Sequence, residues 1–347
     1  MRYYSLSSHN RSYSEAIHIY EARIRDSKEI FEKFSDSFIE RECPYCGSSR
    51  STKHDLFYES YNIDKCTSCA NIYVNPVPSL EAIDYYYNNC ECNNMLGNLL
   101  RRRHKTNNVI LSNRSKKVCN LIESYVSNKN QSSLKILEIG CNSGVFLSEL
   151  RCAVENLFPD LDVQIFGIDI DLEAISNNVD KRNTLVCSSA EEYIETATSA
   201  FDIVLHFELI EHLLNPFNFN CAINSLLTPG GINFFTTPNG EGFDNVAVGY
   251  NKTRLLAHSI FPPMHLNAFS PVSIPIFALR SSFDIISIET PGIFDVDIVK
   301  LSYDKLDDDS LFKSIKLFSD DQLAHVQSWL QELKASVHME VVLRKFK

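Results

Sequence analysis

No apolar run reaches the roughly 18 residues that a membrane-spanning helix needs, and the opening Met-Arg-Tyr-Tyr-Ser-Leu-Ser-Ser lacks the apolar segment of a secretory signal. A cytoplasmic protein without membrane insertion is expected. Positive charge is also scarce: 33 Lys and Arg against 44 Asp and Glu leave a formal charge of −11 and a pI near 5.4. That balance opposes the broad phosphate-neutralising surface of a nucleic-acid binder, so nucleic acid is disfavoured as a partner. Arg101-Arg-Arg-His-Lys105 is the local exception, a basic cluster for a phosphate or a solvated helix face. Internal repeats and low-complexity tracts are absent. Neither the G-x-G-x-x-G of dinucleotide enzymes nor the Gly-Lys-Ser/Thr of phosphate loops occurs at the glycine turn described next, which disfavours a pyrophosphate ligand. What is present is ample for a core: 347 residues, 44% of them hydrophobic, sufficient for one large domain with an appended module or for two domains.

The most informative stretch is Leu134-Lys-Ile-Leu-Glu138-Ile-Gly140-Cys-Asn142-Ser-Gly144-Val-Phe-Leu. An apolar strand ends near Glu138, turns through Gly140–Gly144 and enters a helix. Glycine admits positive φ and close approach of a ligand to the main chain, and the N–H groups opening the helix favour an anion. Asn142 sits in the same turn and is one of the few residues that tolerate left-handed backbone. Val163–Asp169 reads as a second buried strand ending in an acid, suited to a ribose diol. Val186–Glu191 is expected to be a third strand end, Phe201–His206 a fourth strand, and Leu226–Phe235 a turn entering a fifth. The order strand, helix, strand repeats.

These motifs resemble the class I S-adenosylmethionine-dependent methyltransferases: Glu-x-Gly-x-x-x-Gly after strand one, an acid ending strand two, an acidic strand four and Pro-Gly-Gly before strand five. The likeness is good over roughly residues 131–240 and looser elsewhere. It implies an α/β fold with a doubly wound, Rossmann-like seven-stranded sheet over 131–347. It further implies that Glu138, Gly140, Asn142 and Gly144 hold the methionine part of the cofactor and Asp169 the ribose. By the same resemblance Ser189, Ala190 and Glu191 lie by the adenine, and His206 beside the cofactor.

Four of the eleven cysteines form a pattern: Cys43-Pro-Tyr-Cys46-Gly47, nineteen residues, then Cys66-Thr-Ser-Cys69. Two C-x₂-C turns aim four thiolates at one point, the signature of a structural zinc site, with Phe57–Ile63 supplying ribbon strands. Disulfides are the alternative, but nothing indicates export and the other cysteines show no framework spacing. All four positions are protein ligands, so the ion is expected to be structural, folding a substrate-facing or partner-facing module over residues 38–79.

Residues 1–37 are expected to form an amphipathic helix, led by Ser12-Tyr-Ser-Glu15 and carrying Ile17, Tyr20, Ile24, Phe31 and Phe34, packed on the body or on a second copy as in a homodimer. Residues 80–130 read as a helical linker or lid, with helices at Leu80–Tyr87, Leu99–Leu111 and Val118–Val126. Tyr85-Tyr-Tyr87 is a candidate substrate contact or plain core. Ser281–Glu289 and Val337–Arg344 read as strands six and seven, and Ser319-Asp-Asp-Gln322 caps a helix between them.

Strand four leads into Glu208-Leu-Ile-Glu211-His212-Leu-Leu-Asn-Pro216. Glu208 and His212 are four apart and would share a face of a helical turn, with Glu211 adjacent. Together with His265 they are candidates to bind a divalent ion or to act as a general base. The E-x-x-E-H pattern resembles the ubiquinone-pathway O-methyltransferases and the small-RNA terminal 2′-O-methyltransferases, in which such groups hold a metal. Elsewhere among methyltransferases Glu-His-Leu supports the loop without one. The ribbon, Thr237-Pro-Asn239 and Pro263-Met-His265 are also similar to deoxysugar C-methyltransferases, although the stretch after strand six is short for their extra substrate domain. The expected catalytic residues are therefore His265, His212 and Glu211. The expected reaction is O- or C-methylation of a small-molecule acceptor, a sugar or other polyhydroxylated metabolite. An RNA methyltransferase, or a catalytically silent cofactor-binding protein with a partner-recruiting ribbon, are the alternatives.

Overall fold

The structure, a computed structural model, describes residues 13–58, 60–92, 95, 109–129, 131–197, 200–251, 259–302 and 311–347. The N-terminal helix, Tyr13–Phe34, lays Tyr20, Ile24 and Phe31 onto the ribbon aromatics Phe57 and Tyr61, and Ile30 and Phe34 onto the next helix, Leu80–Asn89. Its apolar stripe is thus covered by the body of the same chain. The ribbon contributes β1 (Ser51–Phe57), β2 (Tyr61–Cys66) and β3 (Ile72–Val74), paired antiparallel. Phe57–Ile63 thus supplies the end of β1 and the start of β2 with the turn between them.

The core strands are β4 (Ser133–Ile139), β5 (Asp162–Asp169), β6 (Thr184–Cys187), β7 (Phe201–Phe207), β8 (Leu227–Pro238), β10 (Phe283–Glu289) and β11 (His338–Lys345). They form one seven-stranded sheet in the order β10-β11-β8-β7-β4-β5-β6. Strands β4 to β8 pair parallel, while β11 runs antiparallel to both β8 and β10. Buried on both faces, the central strands are near-continuous apolar runs, as in Leu134, Ile136, Leu137 and Ile139 of β4. One face is covered by helices Val109–Lys129 and Val145–Leu157 through Val118, Ile122, Leu147, Leu150 and Val154. The other receives helices Pro216–Leu226 and Ile274–Arg280 through Phe219, Ile223, Ile274 and Phe277. Helix Val109–Lys129, which contains the expected Val118–Val126, thus packs on the sheet.

The third expected strand end is shorter than Val186–Glu191: β6 stops at Cys187. Ser189 caps helix Ala190–Thr196, its hydroxyl accepting from the Glu192 N–H while the Glu192 carboxylate accepts from Ser189 N–H. Helix Leu99–Leu111 and the basic cluster Arg101–Lys105 lie largely or wholly outside the described residues. No described helix is long and apolar enough to cross a membrane.

The ribbon is not a separate lobe. Its third strand pairs with β9 (Asn267–Ala268), which makes a second, four-stranded sheet of β1-β2-β3-β9. Cys43, Tyr45, Cys66, Cys69 and Tyr73 share one apolar cluster with Phe235, Phe269 and Phe277 of the main body. Strand order reverses between β4 and β7, and it is outside the carboxyl ends of such strands that open α/β sheets place ligands.

Candidate active site

At that reversal the glycine turn takes the backbone its residues allow: φ is 81° at Gly140, 50° at Asn142 and 73° at Gly144. The N–H groups of Gly140 and Cys141 both donate to Ile168 O, at 2.8 and 3.0 Å, which ties the turn to β5. Asp169, at the end of β5, accepts from Asn142 N–H at 2.7 Å and from Asp171 N–H at 2.9 Å. Its carboxylate therefore stands directly against the turn. Ile170, next in the chain, is 76% exposed although apolar. Ser189, Ala190 and Glu191 form the cap and first turn of their helix just beyond β6.

Glu138 is buried, and its Oε2 has no hydrogen-bond partner among the described residues. Burial pushes its carboxyl up to about 8, with Arg114 opposing the shift and Asp169 adding to it. Arg114, from helix Val109–Lys129, lies with its guanidinium 3.9 Å from the centre of the Phe207 ring and makes no hydrogen bond among the described residues. A buried acceptor short of a donor beside a cation short of an acceptor fits a zwitterionic amino-acid group such as the methionine end of the cofactor. Sequence reasoning missed Arg114, because one basic residue in a helix far from the glycine turn carries no local signal. His206 lies deeper than expected. It is fully buried, stacked on Phe235 at 4.8 Å and edge-on to Phe219 at 5.2 Å, and burial brings it down to about 3, so the ring is neutral.

The loop after β7 brings Glu211, His212 and His265 together, with one ligand atom from each within 4.8 Å of the others. The His212 and His265 rings meet edge-to-face at 4.8 Å. Glu211 is fully buried; Thr237 Oγ1 donates to its Oε2 at 3.1 Å, while Oε1 lies 3.9 Å from His212 Nε2 without a hydrogen bond. Burial raises the Glu211 carboxyl well above its ordinary value, and Glu208 adds to the shift. Burial also lowers His212 to about 4, so its imidazole is neutral near pH 7. Tyr87 contributes its hydroxyl to His212 Nδ1 at 3.3 Å. Its neighbours serve packing: Tyr86 is buried against Met264, and Tyr85 reaches Glu29.

Glu208 corrects the expected four-residue set. It adopts φ 51°, and only Ile210–His212 form a short 3-10 turn, so positions 208 and 212 share no helical face. Its carboxylate accepts instead from Thr236 Oγ1 at 2.8 Å and faces His338 Nδ1 at 3.4 Å.

The four ribbon sulfurs converge as the spacing implies. Cys43 and Cys69 Sγ are 3.5 Å apart, as are Cys46 and Cys66. A disulfide would hold the sulfurs at about 2 Å, whereas tetrahedral ligands about 2.3 Å from a zinc ion stand roughly 3.8 Å from each other. Each knuckle closes alike: Gly47 N–H donates to Cys43 O at 2.9 Å and Ala70 N–H to Cys66 O at 3.0 Å, both residues at positive φ. The donor set and spacing fit zinc.

The profile of a methyltransferase domain family matches residues 110–286, half of the chain, from helix Val109–Lys129 through most of β10. The chain belongs to this methyltransferase family. Its glycine turn and seven-stranded sheet are those of the class I, S-adenosylmethionine-dependent methyltransferases. It is similar to the ubiquinone biosynthesis O-methyltransferase of Nitrosococcus oceani, 30% identical over 122 residues, 32% of this chain and 48% of that protein. The mitochondrial ubiquinone biosynthesis O-methyltransferase of Arabidopsis thaliana is 28% identical over 117 residues, 33% of this chain and 35% of the relative. The chain thus spans half or less of the length of these relatives. Among solved structures, a plantazolicin methyltransferase in complex with SAH and a pentazolic desmethyl analogue superposes with a TM-score of 0.48 at 14% identity, over 76% of this chain and 94% of that one.

Proposed function

We propose that the methyltransferase transfers a methyl group from S-adenosylmethionine to a hydroxyl of a small polyhydroxylated acceptor, a sugar foremost. The observation that carries this reading is the cluster that Glu211 and His212, on the loop after β7, form with His265, from the segment before β9. S-adenosylmethionine supplies an already activated methyl group, so the chain's task is alignment and removal of one proton. Glu138 and Arg114 would take the amino-acid end, Asp169 the ribose hydroxyls, and Ile170 with Ser189–Glu191 the base. His265 would take the acceptor's proton, with neutral His212 beside it and Glu211 behind. The O-methyltransferases among its relatives support oxygen as the methylated atom. The cysteine cluster would hold one structural zinc ion.

A second reading places a divalent ion on Glu211, His212 and His265, favoured by their mutual approach within 4.8 Å. One assay separates the two. Transfer of labelled methyl from S-adenosylmethionine to a panel of sugars, polyols and catechols should be abolished by His265→Ala and survive mild chelation. Loss of transfer on chelation, restored by magnesium, would favour the ion. No transfer to any acceptor, despite tight binding of S-adenosylhomocysteine, would overturn the enzymatic reading.

A further inference from the structure

We infer that Arg41 is the positioning residue of this active site: its guanidinium sets Glu211 and the strand following His265 in register, so that the cysteine ribbon serves as a strut of the catalytic loop. The inference rests on the reading of Glu211, His212 and His265 as the acid–base group. Arg41 lies two residues before Cys43 and spreads its fork over three segments. Nε donates to Val74 O on β3 at 3.1 Å, and Nη1 to Leu214 O, in the loop after β7, at 3.1 Å. Nη2 donates to Leu266 O at 3.0 Å and to Asn267 Oδ1 at 3.2 Å, on the two residues after His265.

These acceptors close on Glu211. Leu266 N–H donates to Glu211 O at 2.9 Å, and Asn267 Nδ2 donates to Glu211 O at 3.3 Å and to Leu213 O at 2.7 Å. One planar cation thus joins the carbonyl of Leu214, three residues after the candidate acid, to that of Leu266, next to the candidate base. A lysine, with its point charge on a flexible stem, cannot reproduce that fork.

Arg41 makes no ion pair with a carboxylate among the described residues, so its fork is committed to these neutral acceptors. Anchoring the ribbon does not need Arg41. Arg280 Nη1 donates to Tyr45 O at 2.6 Å, Lys65 pairs with Glu241 at 2.7 Å, and Tyr45 packs against Phe269 and Phe277. Loss of Arg41 should therefore release the catalytic loop and leave the ribbon docked.

The test uses the full chain with isotope-labelled histidine, its ring signals assigned through His212→Gln and His265→Gln. Arg41→Lys should move or broaden the His212 and His265 signals while keeping one zinc per chain and an S-adenosylhomocysteine affinity within about twofold of wild type. Stripping zinc from the wild type should disturb the same two signals. Unmoved signals in Arg41→Lys with zinc retained would overturn the inference, and so would zinc loss, which would make Arg41 a ribbon residue only. Asn267→Ser, which leaves the guanidinium in place but removes the amide between it and Glu211, should disturb the same signals and covers the case in which Arg41→Lys fails to fold. Wild type that does not bind S-adenosylhomocysteine would defeat the cofactor reading instead and leave the histidine comparison intact.

Discussion

Asp169 and Glu138 flank the glycine turn with opposite tasks, and each has its own test. Asp169 holds the turn through Asn142 N–H, and in the proposed reading its carboxylate takes the ribose hydroxyls. Asp169→Ala should weaken S-adenosylhomocysteine binding by about 1.5–3 kcal/mol, the range for a charge-assisted hydrogen bond, on calorimetry; unchanged affinity would move the ribose elsewhere. Glu138 is held by burial at about 8, above its ordinary 4.5. An acid whose folded value is raised favours the native state while protonated, so that contribution is full below 4.5 and is lost as pH rises toward 8. Binding an ammonium group reverses the preference. S-adenosylhomocysteine affinity should rise with pH, by up to roughly tenfold per unit, and level off above about 8. Glu138→Gln should flatten that profile; an equally steep profile in the variant would assign the proton to another group. The acid at position 138 was legible from its place at a strand end. The cation in its electrostatic range was not, because Arg114 comes from a helix more than twenty residues earlier in the chain.

At the level of elements, close approach between strand, turn and helix explains what the motif alone leaves open. A Cβ on Gly167 of β5 would stand 2.6 Å from Cys141 Sγ, 2.7 Å from Leu185 and 2.8 Å from Leu147. Gly167→Ala should therefore cost about 1–3 kcal/mol of stability by overpacking, read by urea unfolding; a neutral effect would mean that the turn shifts freely. Strands β4, β5 and β7 were legible as apolar runs, since parallel strands buried on both faces need no alternation. The segment after β6 was misread because Ser-Ala-Glu-Glu is a capping box, whose reciprocal bonds start a helix where a strand end was expected. Glu208 was misplaced for a related reason. Spacing by four implies a shared face only inside a helix, and here the chain reverses at φ 51° before a single 3-10 turn.

Across the whole molecule the ribbon and the sheet share one apolar cluster, so their stabilities are linked. Cys43→Ser should remove the ion by elemental analysis, and the loss should lower the melting temperature of the entire chain in one transition rather than add a separate early step. Two resolved transitions would show that the ribbon folds alone. S-adenosylhomocysteine at a hundred times its Kd should add about 2.7 kcal/mol of stability by mass action, visible as a higher melting temperature.

The local alphabet alone determined the cofactor turn, the acid that ends the second strand, the four-thiolate site and the parallel order of the core. Each is written in residues a few positions apart, where backbone sterics and ligand spacing act directly. Only the tertiary structure decided that Arg114 comes within electrostatic range of Glu138, that His265 meets His212, that Glu208 turns away, and that β3 pairs with β9. Those contacts join positions tens to hundreds of residues apart, and no periodicity encodes them. They exist because a buried guanidinium, imidazole or carbonyl must find its partner wherever packing brings one within reach.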